Sequence, residues 1–374
     1  MEHYRKLFPV TDKWVYLNHA ANSPEPLPVL EAMQQFLSAC STMGTVTEES
    51  WTSRPTEVRE SMAALFGCNV DEVAFVSNVS HAANLVASGL EWHPGDNVVV
   101  AKDQFPANIY PWRFLEKRGV EVRYAPWQQS NLAEAVAAMV DKRTRVVAVS
   151  WVEFFSGHRH DLATLGRLCR QQDIFLFVDA IQGLGMMAMD VKEMGIDGAA
   201  VGGHKWLLGP EGQGAMYISS RWLERLNPPY FSWRSIKDFM NFDNPSPRLR
   251  DSAARFEGGT PNFPGIIGLG AGVGLLQQAG LAQVEEKVQA LCSRLLAGLG
   301  ELDVDILTPL DPAQRAGIVS FVPRTKPAGE LVADLLEQSI VTCARKNGLR
   351  ISPHFYNTEE EIDQVLSSLE NLLK

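Results

Sequence analysis

An aspartate closes the apolar run Ile174-Phe175-Leu176-Phe177-Val178, and a lysine, Lys205, follows the shorter apolar run Ala199-Ala200-Val201. Short apolar runs of this kind read as buried strands. In open α/β sheets the ligand crevice lies at the carboxyl ends of the strands. Two strands therefore deliver a carboxylate, Asp179, and an amine, Lys205, to one crevice. An amine there can act as a nucleophile toward a carbonyl and as a general base. A carboxylate there can hold a proton on a heterocyclic nitrogen.

Pyridoxal phosphate needs that pair: a lysine for the Schiff base and an acid against the pyridinium nitrogen. The residues around the pair are specific. Val178-Asp179-Ala180-Ile181-Gln182, Gly202-Gly203-His204-Lys205 and the glycines of Gly209-Pro210-Glu211-Gly212-Gln213-Gly214 resemble the class V aminotransferase family. That family includes cysteine desulfurases and isopenicillin N epimerase-like enzymes, all of pyridoxal phosphate fold type I. The resemblance spans nearly the whole chain. It implies that Lys205 carries the cofactor and serves as base, that Asp179 holds the ring nitrogen, that Gln182 meets the phenolic oxygen and that His204 helps hold the phosphate. Gly202 stands where the family often has a hydroxyl donor.

The run Phe75–Val86 passes from strand into helix, and a helix N-terminus suits a phosphate. Val79, through its amide, and Ser80, as cap and hydroxyl, match the family's phosphate loop. Phe105, within Asp103–Trp112, stands where desulfurases carry a histidine that stacks on the ring. Stacking is retained there and proton transfer is not. Arg255–Asn262 resembles the segment that gives a threonine, here Thr260, to the phosphate of a neighbouring subunit, which implies a homodimer with a shared site. Leu349-Arg350-Ile351-Ser352, with Tyr356-Asn357-Thr358 and Glu361-Ile362-Asp363, resembles the family's C-terminal signature. There Arg350 binds the substrate carboxylate, a pairing that suits the planar guanidinium fork. Asn18 belongs to the expected substrate pocket. Cys343 precedes Arg350 but lacks the glycine- and histidine-containing loop of a desulfurase nucleophile. It reads as a packing cysteine at the end of a helix.

The elements that must position these residues alternate. Strands are expected at 73–76, 97–101, 120–124, 145–149, 174–178, 198–201 and 214–218, with helices at 26–38, 55–66, 81–90, 107–118, 131–140 and 160–172. That alternation predicts a mostly parallel sheet in an α/β fold. Residues 221–262 read as a long functional loop and 265–299 as one long helix. The tail reads as α+β, with strands near 304–308, 317–322 and 349–352 and helices near 328–346 and 358–373. The expected organisation is an N-terminal segment, 1–25, packing with the small domain; a large cofactor-binding domain, 26–262; and a linking helix with the small domain, 263–374.

Composition sets the outer limits. The 374 residues are 45% hydrophobic and 21% charged, with a net charge of −10. That charge argues against nucleic acid as a partner. No apolar run reaches the length of a membrane span, and no signal peptide is visible. Five scattered cysteines without a paired motif fit reduced thiols in the cytoplasm, and no metal site is expected. The expected activity is pyridoxal phosphate chemistry on an amino acid, transamination first. Epimerisation or racemisation and β-elimination are the alternatives, with persulfide chemistry behind them. A non-catalytic pyridoxal phosphate-binding regulator is the reading from another class.

Overall fold

A computed structural model of the chain describes residues 1–47, 51–129, 131–243, 245 and 247–374. Its main sheet has seven strands, in the order Val73–Val76, Gly214–Ile218, Gly198–Gly202, Phe175–Asp179, Thr144–Ser150, Asn97–Ala101 and Glu121–Ala125. The last five are mutually parallel, while Gly214–Ile218 runs antiparallel to both neighbours. The central strands are buried along their whole length. Helices cover both faces of a parallel sheet, which is why these strands read as continuous apolar runs.

Two caps written in the sequence fix helix starts. Asp161 accepts from the amides of Ala163 and Thr164 and opens Leu162–Gln171. Thr358 and Glu361 form a capping box that opens Glu359–Leu373.

A second sheet is antiparallel, in the order Cys343–Arg345, Gly348–Ile351, Val319–Pro323 and Val304–Ile306. The N-terminal strand Val15–Tyr16 lies parallel to Ile340–Val341, and Asn18 bridges to Ser352. One hydrophobic cluster runs from Leu176 and Trp206 under the main sheet to Leu291, Leu335 and Ile351 under the second.

Several elements differ from the sequence reading. The stretch 265–299 is two helices, Phe263–Ala279 and Leu281–Leu299, bent by 81° at Gly280. Gly280 has φ +80, which a side chain would resist. No single helix among the described residues is long and apolar enough to cross a membrane. The helix expected over 328–346 stops at Glu337, and the chain turns through Ser339 at φ +62 into two short strands. Cys343 therefore lies on a strand. The segment 107–118 is one short helix, Tyr110–Arg113, between 3-10 turns. The helix expected from 81 begins at Val79, and its cap is Asn78 rather than Ser80. Residues 221–262 hold a 3-10 turn, Ala253–Phe256, and an Ile236–Leu249 bridge.

Candidate active site

Asp179 ends its strand opposite Ala200 of the neighbouring parallel strand, and Lys205 follows three residues past that strand's end. Parallel pairing thus brings both to one rim. Asp179 is buried, and its Oδ1 accepts the Ile181 amide at 3.0 Å. Burial pushes its carboxyl up to about 6, against the Ile181 amide and the Lys205 charge. Burial likewise pushes the Lys205 amine down to about 8, although Asp179 opposes the fall. Around neutral pH the pair is a carboxylate beside an ammonium that loses its proton with little difficulty.

Lys205 is held from behind. Trp206 is fully buried, and its Nε1 donates to Gln182 Oε1 at 3.0 Å. Gln182 Nε2 donates to the Ala20 carbonyl at 2.9 Å. One amide thus ties the lysine's neighbour to the N-terminal segment and keeps a second N–H. The turn beneath is close-fitting: Gly185 has φ +103, and a Cβ there would come 2.4 Å from the Trp206 carbonyl.

Phe105 is 45% exposed, and the Lys205 Nζ lies 5.7 Å from its ring centroid. An aromatic face over the amine is what a stacked cofactor ring requires. The loop is anchored next door, where Gln104 Nε2 donates to Glu153 Oε1 at 2.7 Å. His160 Nε2 meets the same oxygen at 2.8 Å, and Glu153 adds its charge near Asp179.

The expected phosphate site falls at the start of the helix Val79–Gly89. Asn78 Oδ1 accepts from His81 N, so the cap serves the third helical residue. The amides of Val79 and Ser80 find no acceptor among the described residues, as the first turn of a helix leaves them. Two such donors at a positive helix end suit a phosphate. Gly202 has a steric reason: a Cβ there would lie 3.0 Å from His204 Cε1. The missing side chain makes room for the His204 ring.

Arg350 is 1% exposed, deeper than a solvated arginine. Its Nη1 donates to the Phe154 carbonyl at 2.7 Å. Among the described residues Nε and Nη2 are buried without a nitrogen or oxygen acceptor, with only the Cys343 thiol beside the guanidinium. Those two atoms form one edge of the guanidinium, the edge that takes a carboxylate side-on. Its charge reaches Lys205 and helps lower that amine. The Asn18 Oδ1 is also buried without a partner among the described residues. Thr260 is exposed after Gly259, and its hydroxyl has no partner among the described residues.

Two residues at the crevice, Glu153 and Phe154, escaped the sequence reading. Glu153 stands near Asp179, and Phe154 supplies the carbonyl that aims Arg350. Cys343, expected at a helix end, has its Cα directly across the strand pair from Arg350. The thiol is 9% exposed and sits beside the guanidinium. It is buried, as a packing cysteine is, yet it forms part of the wall of the crevice. The apolar segment Ser150–Gly157 after a strand end was the signal for Glu153 and Phe154, since ligand contacts cluster there.

A family model described as Aminotransferase class-V matches residues 15–365. A probable cysteine desulfurase of Pyrococcus abyssi (strain GE5 / Orsay) is 32% identical, over 100% of this chain and 98% of its own length. The solved cystine C–S lyase C-DES, in complex with its reaction product cysteine persulfide, has a TM-score of 0.91 at 27% identity, covering 97% of this chain and 99% of that one. A C-DES mutant with glycine covalently linked to the PLP cofactor has a TM-score of 0.92 at 26% identity, over 98% and 99%.

Proposed function

The chain belongs to the class V aminotransferase family, with the fold type I architecture and pyridoxal phosphate as cofactor, and from that premise we propose that it is a lyase that removes the β-substituent of an amino acid. The observation that carries amino-acid binding is the open edge of Arg350, two buried donors with no nitrogen or oxygen acceptor among the described residues. Leaving such donors unpaired costs free energy that an α-carboxylate recovers. When bound, pyridoxal phosphate supplies an electron sink for the charge left at the α-carbon.

The chain's own residues do the rest. Arg350 orients the substrate by its carboxylate. Lys205, with an amine near 8, takes the α-proton, a task that favours a base titrating close to working pH. Asp179, a buried carboxylate above about pH 6, holds a proton on the ring nitrogen. Phe105 covers the amine and excludes water. Val79, Ser80 and His204 receive the phosphate, and Gln182 offers its remaining N–H to the ring oxygen. Thr260 completes the phosphate site of a second copy, so the working form is a homodimer in the cytoplasm.

Loss of a β-substituent is favoured by the relatives, among them a probable desulfurase and a cystine C–S lyase. Transamination, the first expectation from the sequence, keeps one observation in its favour: Phe105 has no proton to give a leaving group, so Lys205 is the acid–base group over the ring. The same phenylalanine disfavours epimerisation, which needs a second proton carrier. Incubation of the cofactor-loaded protein with L-cysteine and L-cystine separates the outcomes. Multiple-turnover pyruvate with released sulfur species supports the lyase. Keto acid that stops at one equivalent until a second keto acid is supplied supports transamination and overturns the lyase.

A further inference from the structure

The strand pair that carries Arg350 presents more than one side chain to the crevice. Cys343–Arg345 runs antiparallel to Gly348–Ile351, with Cys343 opposite Arg350 and Arg345 opposite Gly348. Directly opposed residues share a face, as do residues two apart on one strand. Ala344, Leu349 and Ile351 pack on the hydrophobic core. Cys343, Arg345 and Arg350 therefore occupy the other face, toward Phe154 and Phe155. Gly348 puts no side chain beside Arg345, and a Cβ there would lie 3.2 Å from the Phe155 ring.

Arg345 is half-buried and its guanidinium donates to the Ala344 carbonyl. Its charge acts with that of Arg350 on the Lys205 amine. Among the described residues neither arginine has a carboxylate within ion-pair distance, whereas Arg123, Arg294 and Arg324 do. Two guanidiniums and an ammonium thus face one crevice, with Asp179 committed to the ring nitrogen. A group of like charges held without counter-ions is unfavourable until an anion enters. One carboxylate saturates the free edge of Arg350 and leaves Arg345 unpaired.

We propose that Arg345 forms a second anion subsite, so that the substrate is an amino acid whose side chain carries a negative charge. The α-carboxylate sits on Arg350 and the side-chain carboxylate or similar oxyanion on Arg345. The proposal rests on the reading of Arg350 as the α-carboxylate site.

L-Aspartate and L-asparagine have nearly the same shape and differ in charge, so their affinity ratio reads the subsite. L-Alanine reports the Arg350 site alone. Binding to the cofactor-loaded protein is followed by the cofactor's absorbance and, independently, by calorimetry. The expected aspartate-to-asparagine affinity ratio is roughly 10 to 100, the value of one charge-assisted pair. In Arg345→Gln the ratio falls to about 1, and in Arg345→Lys much of it returns. Arg350→Gln weakens L-alanine as well. A wild-type ratio near 1 with an intact L-alanine response overturns the Arg345 subsite and leaves the Arg350 reading standing. A ratio that survives in Arg345→Gln also overturns it. No response to any amino acid overturns both.

Discussion

Trp206 and Gln182 share a hydrogen bond, indole Nε1 to amide Oε1 at 3.0 Å, and through it the residue after the lysine is fixed to the turn after the acid. The bond is fully buried. It makes the Asp179–Lys205 spacing a property of the core rather than of two loops.

Trp206→Phe keeps most of the buried ring and removes the donor, which leaves Gln182 Oε1 buried and unpaired. Expected is a stability loss of about 1–3 kcal/mol by urea unfolding, with weaker cofactor retention. An unchanged urea midpoint would show that the bond carries no structural weight.

Gly185→Ala sets a side chain at φ +103 and a Cβ at 2.4 Å from the Trp206 carbonyl. Strain of this kind costs on the order of 1–3 kcal/mol before the clash is added. The variant should lose at least that much stability and capture cofactor more slowly, as measured by thermal unfolding and by absorbance after mixing. Wild-type values for both would mean that the segment shifts freely.

Much of the site was legible because its chemistry is local in sequence. Asp179 and Lys205 follow apolar runs, and Arg350 lies in a dense signature. The long-range ties were not legible. Gln182 reaches Ala20, 162 positions away, and Gln104 reaches Glu153, and neither contact leaves a periodic trace. Cys343 was misplaced for a different reason. Leu331, Leu335 and the apolar residues after them continue a helical spacing, and the turn that ends the helix uses Ser339 at positive φ. No glycine or proline marks it. The break at Gly280 did carry a glycine, which the apolar spacing on both sides outweighed.

Cofactor capture should track the protonation of Lys205, since only the neutral amine attacks an aldehyde. With the amine near 8, the capture rate of the cofactor-free protein should rise with pH through about 8 and level off above it. Asp179→Asn removes the charge that favours the ammonium, so the midpoint should move to lower pH. Stopped-flow absorbance across the pH range measures both. A midpoint that moves upward would contradict the placement of these charges.

Thr260→Ala removes a hydroxyl that has no partner among the described residues of its own chain. If it serves a second copy's phosphate, cofactor affinity should fall by about one to two decades, the effect of one charge-assisted hydrogen bond. Equilibrium dialysis of the variant reads this, with sedimentation to establish the dimer. A stable monomer of full activity would rule out the shared site.

The proposed chemistry turns on Lys205 taking the α-proton of an amino acid held by Arg350. Exchange of the α-hydrogen for deuterium in heavy water, read by proton NMR of recovered L-alanine, tests that step alone, because L-alanine has no β-substituent to lose. Expected are exchange by the cofactor-loaded wild type, none above background in Lys205→Ala, and a fall of roughly 10- to 100-fold in apparent affinity in Arg350→Gln. Exchange that persists at the wild-type rate in Lys205→Ala would contradict the assignment of Lys205 as the base.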